Sequence, residues 1–154
     1  MIFRIIGIVA ANLLLFSSLA FCVTVKRSAR VVEANGKVET KNSSGKWISV
    51  NPEMVLNEGD FIRTDSSSEA LIEIIGETGN SRVRVKPNSQ MQLVQLVEDN
   101  DSTTQNTMLD LALGELLIDV DKLDSQKSKF EVKTPTSLVG VRGTTFKVTV
   151  DSEE

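Results

Sequence analysis

From Ala29 to Val150 the chain is a series of short apolar runs interrupted by turn-forming residues, and this pattern constrains its fold more than any other feature. Asn42-Ser43-Ser44-Gly45, Asn57-Glu58-Gly59-Asp60, segment 65–68 and segment 76–79 read as turns, and Asp99 to Asn106 reads as a longer polar loop. Runs this short, closely spaced between such turns, predict strands rather than helices. The expected fold class is all-β, a two-sheet sandwich or roll, with a solenoid-like winding as a variant. An N-terminal apolar signal or anchor helix is expected to precede it.

One hairpin can be argued to its register. In Glu69–Ile75 the apolar positions are Ala70, Ile72 and Ile74; in Ser81–Lys86 they are Val83 and Val85. With Ile75 opposite Asn80, Ile72 faces Val83 and Ala70 faces Val85, while Glu73 faces Arg82 and Glu69 faces Lys86. Every cross-strand pair then matches in kind, and such pairs contribute about 0.2–1 kcal/mol each. A one-residue slip would set Ile74 against Arg82 and mix the two faces. Met108–Val120 admits two readings. Leu109, Leu113, Leu116, Leu117 and Val120 recur at helical spacing. Read with period two, Leu109, Leu111 and Leu113 share a face, and after Gly114 the face becomes Leu116, Ile118 and Val120, as a β-bulge would arrange it. The strand is favoured, because a mid-helix glycine costs about 1 kcal/mol and its neighbours are strands. Phe130, Val132 and Thr134 then alternate with Glu131 and Lys133 up to Pro135, and Phe146, Val148 and Val150 alternate with Lys147 and Thr149.

Absences narrow the chemistry. The chain has no His, no Tyr and a single cysteine, Cys22, so a Ser-His-Asp triad, a Cys-His dyad, a His-ligated metal site and an intrachain disulfide are all excluded. The 17 basic and 21 acidic residues give a net charge of −4, which argues against nucleic acid as a partner. No catalytic residues, cofactor or metal site are expected.

Arg4 precedes an apolar run from Ile5 to Val25, broken by Asn12, Ser17, Ser18 and Thr24. This is the pattern of a secretory signal, with cleavage after Ala20. Residues 1–20 are the expected signal peptide; retained as residues 1–25, the run is long enough to anchor in a membrane. Leu19-Ala20-Phe21-Cys22 is similar to a bacterial lipobox, which makes Cys22 a lipidation candidate. Lys26, Arg27 and Arg30 follow the run and count against export by the positive-inside rule. The balance still favours an exported chain, periplasmic or in the cell envelope, with the N-terminus as its route to the membrane.

The body resembles the FecR domain family. Thr134-Pro135, followed by Gly140-Val141-Arg142-Gly143-Thr144-Thr145-Phe146-Lys147-Val148, is similar to that family's terminal signature. Gly59-Asp60-Phe61-Ile62-Arg63-Thr64, Ser68-Glu69-Ala70 and Lys86-Pro87-Asn88-Ser89 fit further upstream. The resemblance spans residues 29–150 and implies an all-β periplasmic domain. In the family's namesake branch this domain belongs to a membrane-spanning relay from outer-membrane iron uptake to a sigma factor. With Met1–Arg4 ahead of the apolar run and the sequence ending at Glu154, the domain is expected to carry over without the anti-sigma and C-terminal signalling parts.

Arg142, between Gly140 and Gly143, is an interaction candidate through a presented guanidinium; the structural reading has it bracing the chain crossing, bonded to backbone or to Asp60. Trp47 could stack on a sugar ring, against burial in the sandwich. Asp60 reads as a turn device, segment 98–101 as a solvated acidic loop rather than a calcium loop, and Asp119 and Asp121 with Asp124 as charges guarding an edge strand. The expectation is a non-enzymatic envelope module that binds a protein or a polysaccharide, with an accessory role in FecR-type transmembrane signalling as the alternative. Intact mass of the protein from membrane and soluble fractions checks the N-terminus. A mature chain beginning at Phe21 without lipid is expected; one retaining Met1 in the membrane overturns cleavage.

Overall fold

The computed structural model describes residues 24–42, 45–76, 79–99, 104–121, 128–141 and 143–151. Within them the chain forms strands and no helix: β1 (Thr24–Lys26), β2 (Ala29–Asn35), β3 (Val38–Lys41), β4 (Trp47–Ser49), β5 (Val55–Leu56), β6 (Phe61–Thr64), β7 (Glu69–Ile74), β8 (Ser81–Val85), β9 (Gln90–Asp99), β10 (Thr104–Val120), β11 (Lys129–Lys133), β12 (Leu138–Val141) and β13 (Thr145–Val150). The all-β expectation holds. The strands do not separate into two independent sheets, however. They join in one curled sheet of order β4-β3-β6-β9-β10-β8-β7-β2-β5, with β11 and β13 also pairing β10, β12 pairing β11 and β1 pairing β9. Solenoid winding would stack parallel rungs, whereas among the described ladders only β10 with β11 is parallel.

Strand β10 is the axis of this arrangement. Its first half lies between β9 and β11, its second half between β8 and β13. The change of neighbours coincides with the change of phase seen in the sequence. Leu109 and Leu111 are buried, and beyond Gly114 so are Leu116, Ile118 and Val120. The ladder with β9 shifts register between Met108 and Leu109 and again between Leu111 and Leu113. The second shift comes one residue earlier than the period-two reading places it, so Leu113 leaves the core face and is 37% exposed. Gly114 itself has φ +95°, and a Cβ there would lie 2.2 Å from Ser89 Oγ and 2.6 Å from the Asn88 carbonyl oxygen. Only a residue without a side chain fits this corner.

The β7–β8 hairpin adopts the expected register, with Ala70 opposite Val85, Ile72 opposite Val83 and Glu73 opposite Arg82. The apolar set is fully buried. On the outer face Glu73 sits between Arg30 at 3.2 Å and Arg82 at 3.5 Å. Glu69 pairs with Lys86 and, at 2.6 Å, with Arg84. The hydrogen bonds from Lys86 and Arg84 hold the Glu69 carboxyl below its ordinary pKa. The core on the other side gathers Val31, Ile62, Met91, Leu93, Leu96, Phe130 and Val132.

The basic residues that follow the N-terminal apolar run are built into this domain. Lys26 lies 3.6 Å from Glu58, and Arg30 contacts Glu53 and Glu73. Arg27 is 8% exposed. Its guanidinium donates to Thr107 Oγ1 at 2.5 Å, the Asn106 carbonyl at 3.2 Å and Gln105 Oε1 at 3.3 Å, and its own amide donates to the Leu96 carbonyl at 2.8 Å. Burial lowers its pKa, against the opposing pull of Glu98. The Asp99–Asn106 loop expected from sequence is correspondingly shorter: β9 runs to Asp99 and β10 starts at Thr104. Residues 1–23 lie outside the described residues, so the signal, anchor and Cys22 readings are not addressed by the fold.

Two glycine substitutions separate strain from collision. Gly59 also has φ +95°, but nothing lies within 4 Å of a Cβ built there. Gly59→Ala is therefore expected to cost only the left-handed backbone penalty, about 1 kcal/mol. Gly114→Ala adds the clash with Ser89 and should cost about 2–4 kcal/mol. Urea unfolding midpoints of the full-length chain read the difference; equal losses at the two sites would contradict the tight corner.

Candidate interaction site

The carboxylates considered in the sequence do not converge. Asp119 Oδ1 accepts from Thr145 Oγ1 at 2.8 Å, and Asp121 Oδ2 accepts from the Asn80 amide at 3.1 Å. They do not guard an edge as expected, because β10 is flanked there by β8 and β13; the edge lies one strand further out. Asp124 lies outside the described residues. Glu98, expected in a solvated loop, is buried at 6% exposure and accepts from Gln105 Nε2 at 3.1 Å; Asn100 and Asp101 lie outside the described residues. Among the described residues no three His, Cys, Asp or Glu side chains group as metal ligands.

Trp47 occupies the short outer strand β4 and is half-buried there, not enclosed in the core as expected. Among the described strands it pairs only with β3, and the core lies under the strands further in. The ring is nonetheless not bare. The Arg63 guanidinium carbon lies 4.0 Å from its centroid and Lys41 Nζ lies 5.0 Å from it, with Lys41 also 4.6 Å from the Phe61 ring. Glu39 pins Arg63 by bonds of 2.8 Å from Nε and 2.7 Å from Nη2. These cations lie over part of the ring's π surface and compete for it with any stacking ligand.

Arg142 lies outside the described residues, but the two strands flanking it border an open cleft of about 800 Å³. Its lining includes Leu113, Pro135 and Val139 together with Lys147, Val148 and Val150. Consecutive residues of β13 line it because the strand turns its backbone edge toward it. The hydrogen-bond phase supports this. Val120 N–H donates to the Thr144 carbonyl at 3.3 Å and Lys86 N–H to the Glu115 carbonyl at 3.0 Å. In an antiparallel ladder bonded and non-bonded pairs alternate. Phe146, Val148 and Val150 therefore exchange bonds with β10, while Thr145, Lys147 and Thr149 direct N–H and C=O to the far side. No described strand pairs β13 on that side.

The side chains of these same residues are already engaged on the outer face: Thr145 with Asp119, Lys147 with Glu115 at 3.2 Å, and Thr149 with Glu115 at 3.4 Å. The free capacity is thus in the backbone. Among the described strands that pair on one side alone, β13 is the longest at six residues; β1, β4, β5 and β12 have three, three, two and four. Sequence reading found β13 as a strand but not as an edge, since edge position follows from which strands pair across the whole chain.

Several of the motif residues that carry the family resemblance serve turns. Asp60 Oδ2 accepts from the Asn57 amide at 2.8 Å, the turn role expected of it. Thr64 Oγ1 donates to the Lys86 carbonyl at 2.6 Å and accepts from the Ser89 amide at 3.1 Å. Ser68 Oγ accepts from the Lys37 amide at 2.7 Å, and Thr134 Oγ1 accepts from the Ser137 amide at 3.0 Å. The family model described as FecR protein matches residues 60–154, which run from the β5–β6 turn through β13. No curated protein matches the chain, and no solved structure does. The matched stretch covers most of the sequence, and the chain belongs to the FecR protein family.

Proposed function

We propose that this chain is a non-enzymatic FecR-domain module of the cell envelope that binds a protein by strand addition to β13. The observation that carries the reading is the open β13 edge beside the apolar cleft. Main-chain groups supply affinity in this mode of recognition, and adjoining pockets for alternate side chains supply specificity. A protein partner is favoured over a polysaccharide because the one tryptophan, Trp47, already has its ring engaged by Arg63 and Lys41. The spread of the carboxylates over separate turn and ladder roles supports a non-enzymatic reading, and no cofactor or nucleic acid enters it. Residues 29–150 form the module in this proposal, with the N-terminal apolar run acting as export signal or membrane anchor.

The family match favours a second role, as an accessory or regulator in transmembrane signalling. If the module regulates, deleting it abolishes an envelope-responsive change in transcription; an unchanged transcript profile removes this role. For the binding reading, a photo-crosslinking residue is placed at Thr149 of the full-length chain in cells. A protein adduct is expected there and not at Arg82, on the ion-paired outer face of β8. Equal labelling at both positions, or none at either, overturns the edge as the binding site.

A further inference from the structure

Away from β13, a row of side chains crosses the outer face of β4, β3, β6, β9, β10 and β11. Trp47 lies opposite Lys41, Lys41 opposite Phe61, Phe61 opposite Gln92, Gln92 opposite Asp110, and Asp110 opposite Lys133. Their sequence neighbours Thr40, Ile62, Met91 and Val132 are buried, so the row points outward. We infer that this row binds a carboxylate-bearing polysaccharide laid across the strands. The ligand and the surface are both separate from the strand addition proposed for β13.

Lys41 is the group in the row that calls for an anion. Its ammonium is held 5.0 Å from the Trp47 centroid and 4.6 Å from the Phe61 centroid, and among the described residues no carboxylate pairs with it. The neighbouring cations are already neutralised, Arg63 by Glu39 and Lys133 by Asp110 at 3.0 Å. The rings attract the positive charge but accept none of its three N–H bonds in full, so a ligand carboxylate can take charge-assisted hydrogen bonds from it. Such a ligand needs no free ring, and the covered face of Trp47, which weighs against a stacked sugar, does not weigh against it. Gln92 and the Asp110–Lys133 pair continue the row with amide, carboxylate and ammonium groups, all of which bond hydroxyls. The spacing selects a polysaccharide over a peptide. The row steps about 4.8 Å from strand to strand, close to the length of one pyranose along a chain, whereas side chains on one face of an extended peptide recur about every 6.6 Å. At a net charge of −4 the protein repels polyanions at long range, so holding one requires a local site of this kind.

Trp47 is the only tryptophan, so its emission reports on the row directly. Titrating the full-length chain with tetragalacturonate is expected to shift that emission saturably, and calorimetry measures the affinity. Lys41→Gln should weaken binding about tenfold or more, through loss of a charged donor. Gln92→Ala, which leaves Lys41 between its rings, should weaken it several-fold, and Lys147→Gln on β13 should leave it unchanged; circular-dichroism spectra matching the parent chain check that all three fold. Cellotetraose, which lacks carboxylates, and tetraglutamate, which has a peptide's spacing, should each bind about tenfold more weakly than tetragalacturonate. No saturable shift with tetragalacturonate, or undiminished binding by Lys41→Gln, overturns the site. Equal binding of cellotetraose overturns the role of the ammonium, and equal or tighter binding of tetraglutamate replaces the polysaccharide by an acidic protein segment. None of these outcomes bears on strand addition, which the crosslink at Thr149 reads separately.

Discussion

The fold depends on a single tight corner at Gly114. There β10 passes from one set of neighbours to another, and the exchange is possible because the chain carries no side chain where Ser89 approaches. Ser89 does more than fill the space. Its Oγ accepts from the Glu115 amide at 2.9 Å, and its own amide donates to Thr64 Oγ1. The β6 end, the β8–β9 turn and the β10 bend are thereby tied at one point. A strand of seventeen residues would ordinarily present one continuous face to one sheet. The corner lets it bury leucines on opposite sequence parities before and after the bend, so both halves of the curled sheet close over one core.

The two outer faces are stabilised differently. The β2–β7–β8 face is a lattice in which Glu73 and Glu69 each bridge two cations. Exposed ion pairs contribute little one at a time, so this lattice matters more for register: a one-residue slip would part each carboxylate from its cations and set Ile74 against Arg82. The face around β4 relies on cations over aromatic rings instead. At the β1 end a buried arginine does the joining, its guanidinium spanning three successive residues of β10. Breaking such a buried polar network leaves desolvated groups unpaired, which is costly, so β1 and Arg27, which follows it, are held firmly to the β9–β10 pair.

The family motifs read differently once placed in space. Thr64, Ser68, Ser89 and Thr134 recur as hydroxyl partners for backbone amides at turns, and Asp60 does the same with a carboxylate. These residues specify the turns of the scaffold, while Thr145, Phe146, Lys147 and Val148 of the terminal signature lie in β13 itself. The hydrogen-bonding groups left open along β13 belong to its backbone, and no side-chain pattern announces them. That is why Trp47 and Arg142, the side chains that stand out in the sequence, were the natural candidates, although the structure engages Trp47 internally and leaves Arg142 outside the described residues.

Sequence alone determined what depends on local period and local pairing. The all-β class, the β7–β8 register, the turn role of Asp60 and the change of phase at Gly114 all follow from alternation and turn chemistry over a few residues, where neighbours in sequence are neighbours in space. Tertiary structure decided what depends on distant partners. That Leu113 faces outward, that Arg27 is buried, that Asp119 is flanked on both sides and that β13 is an edge all turn on which strand lies beside β10, seventy or more residues away in the case of Arg27. Alternation tells which face a side chain takes; only the completed ladder tells whether a backbone edge is left open.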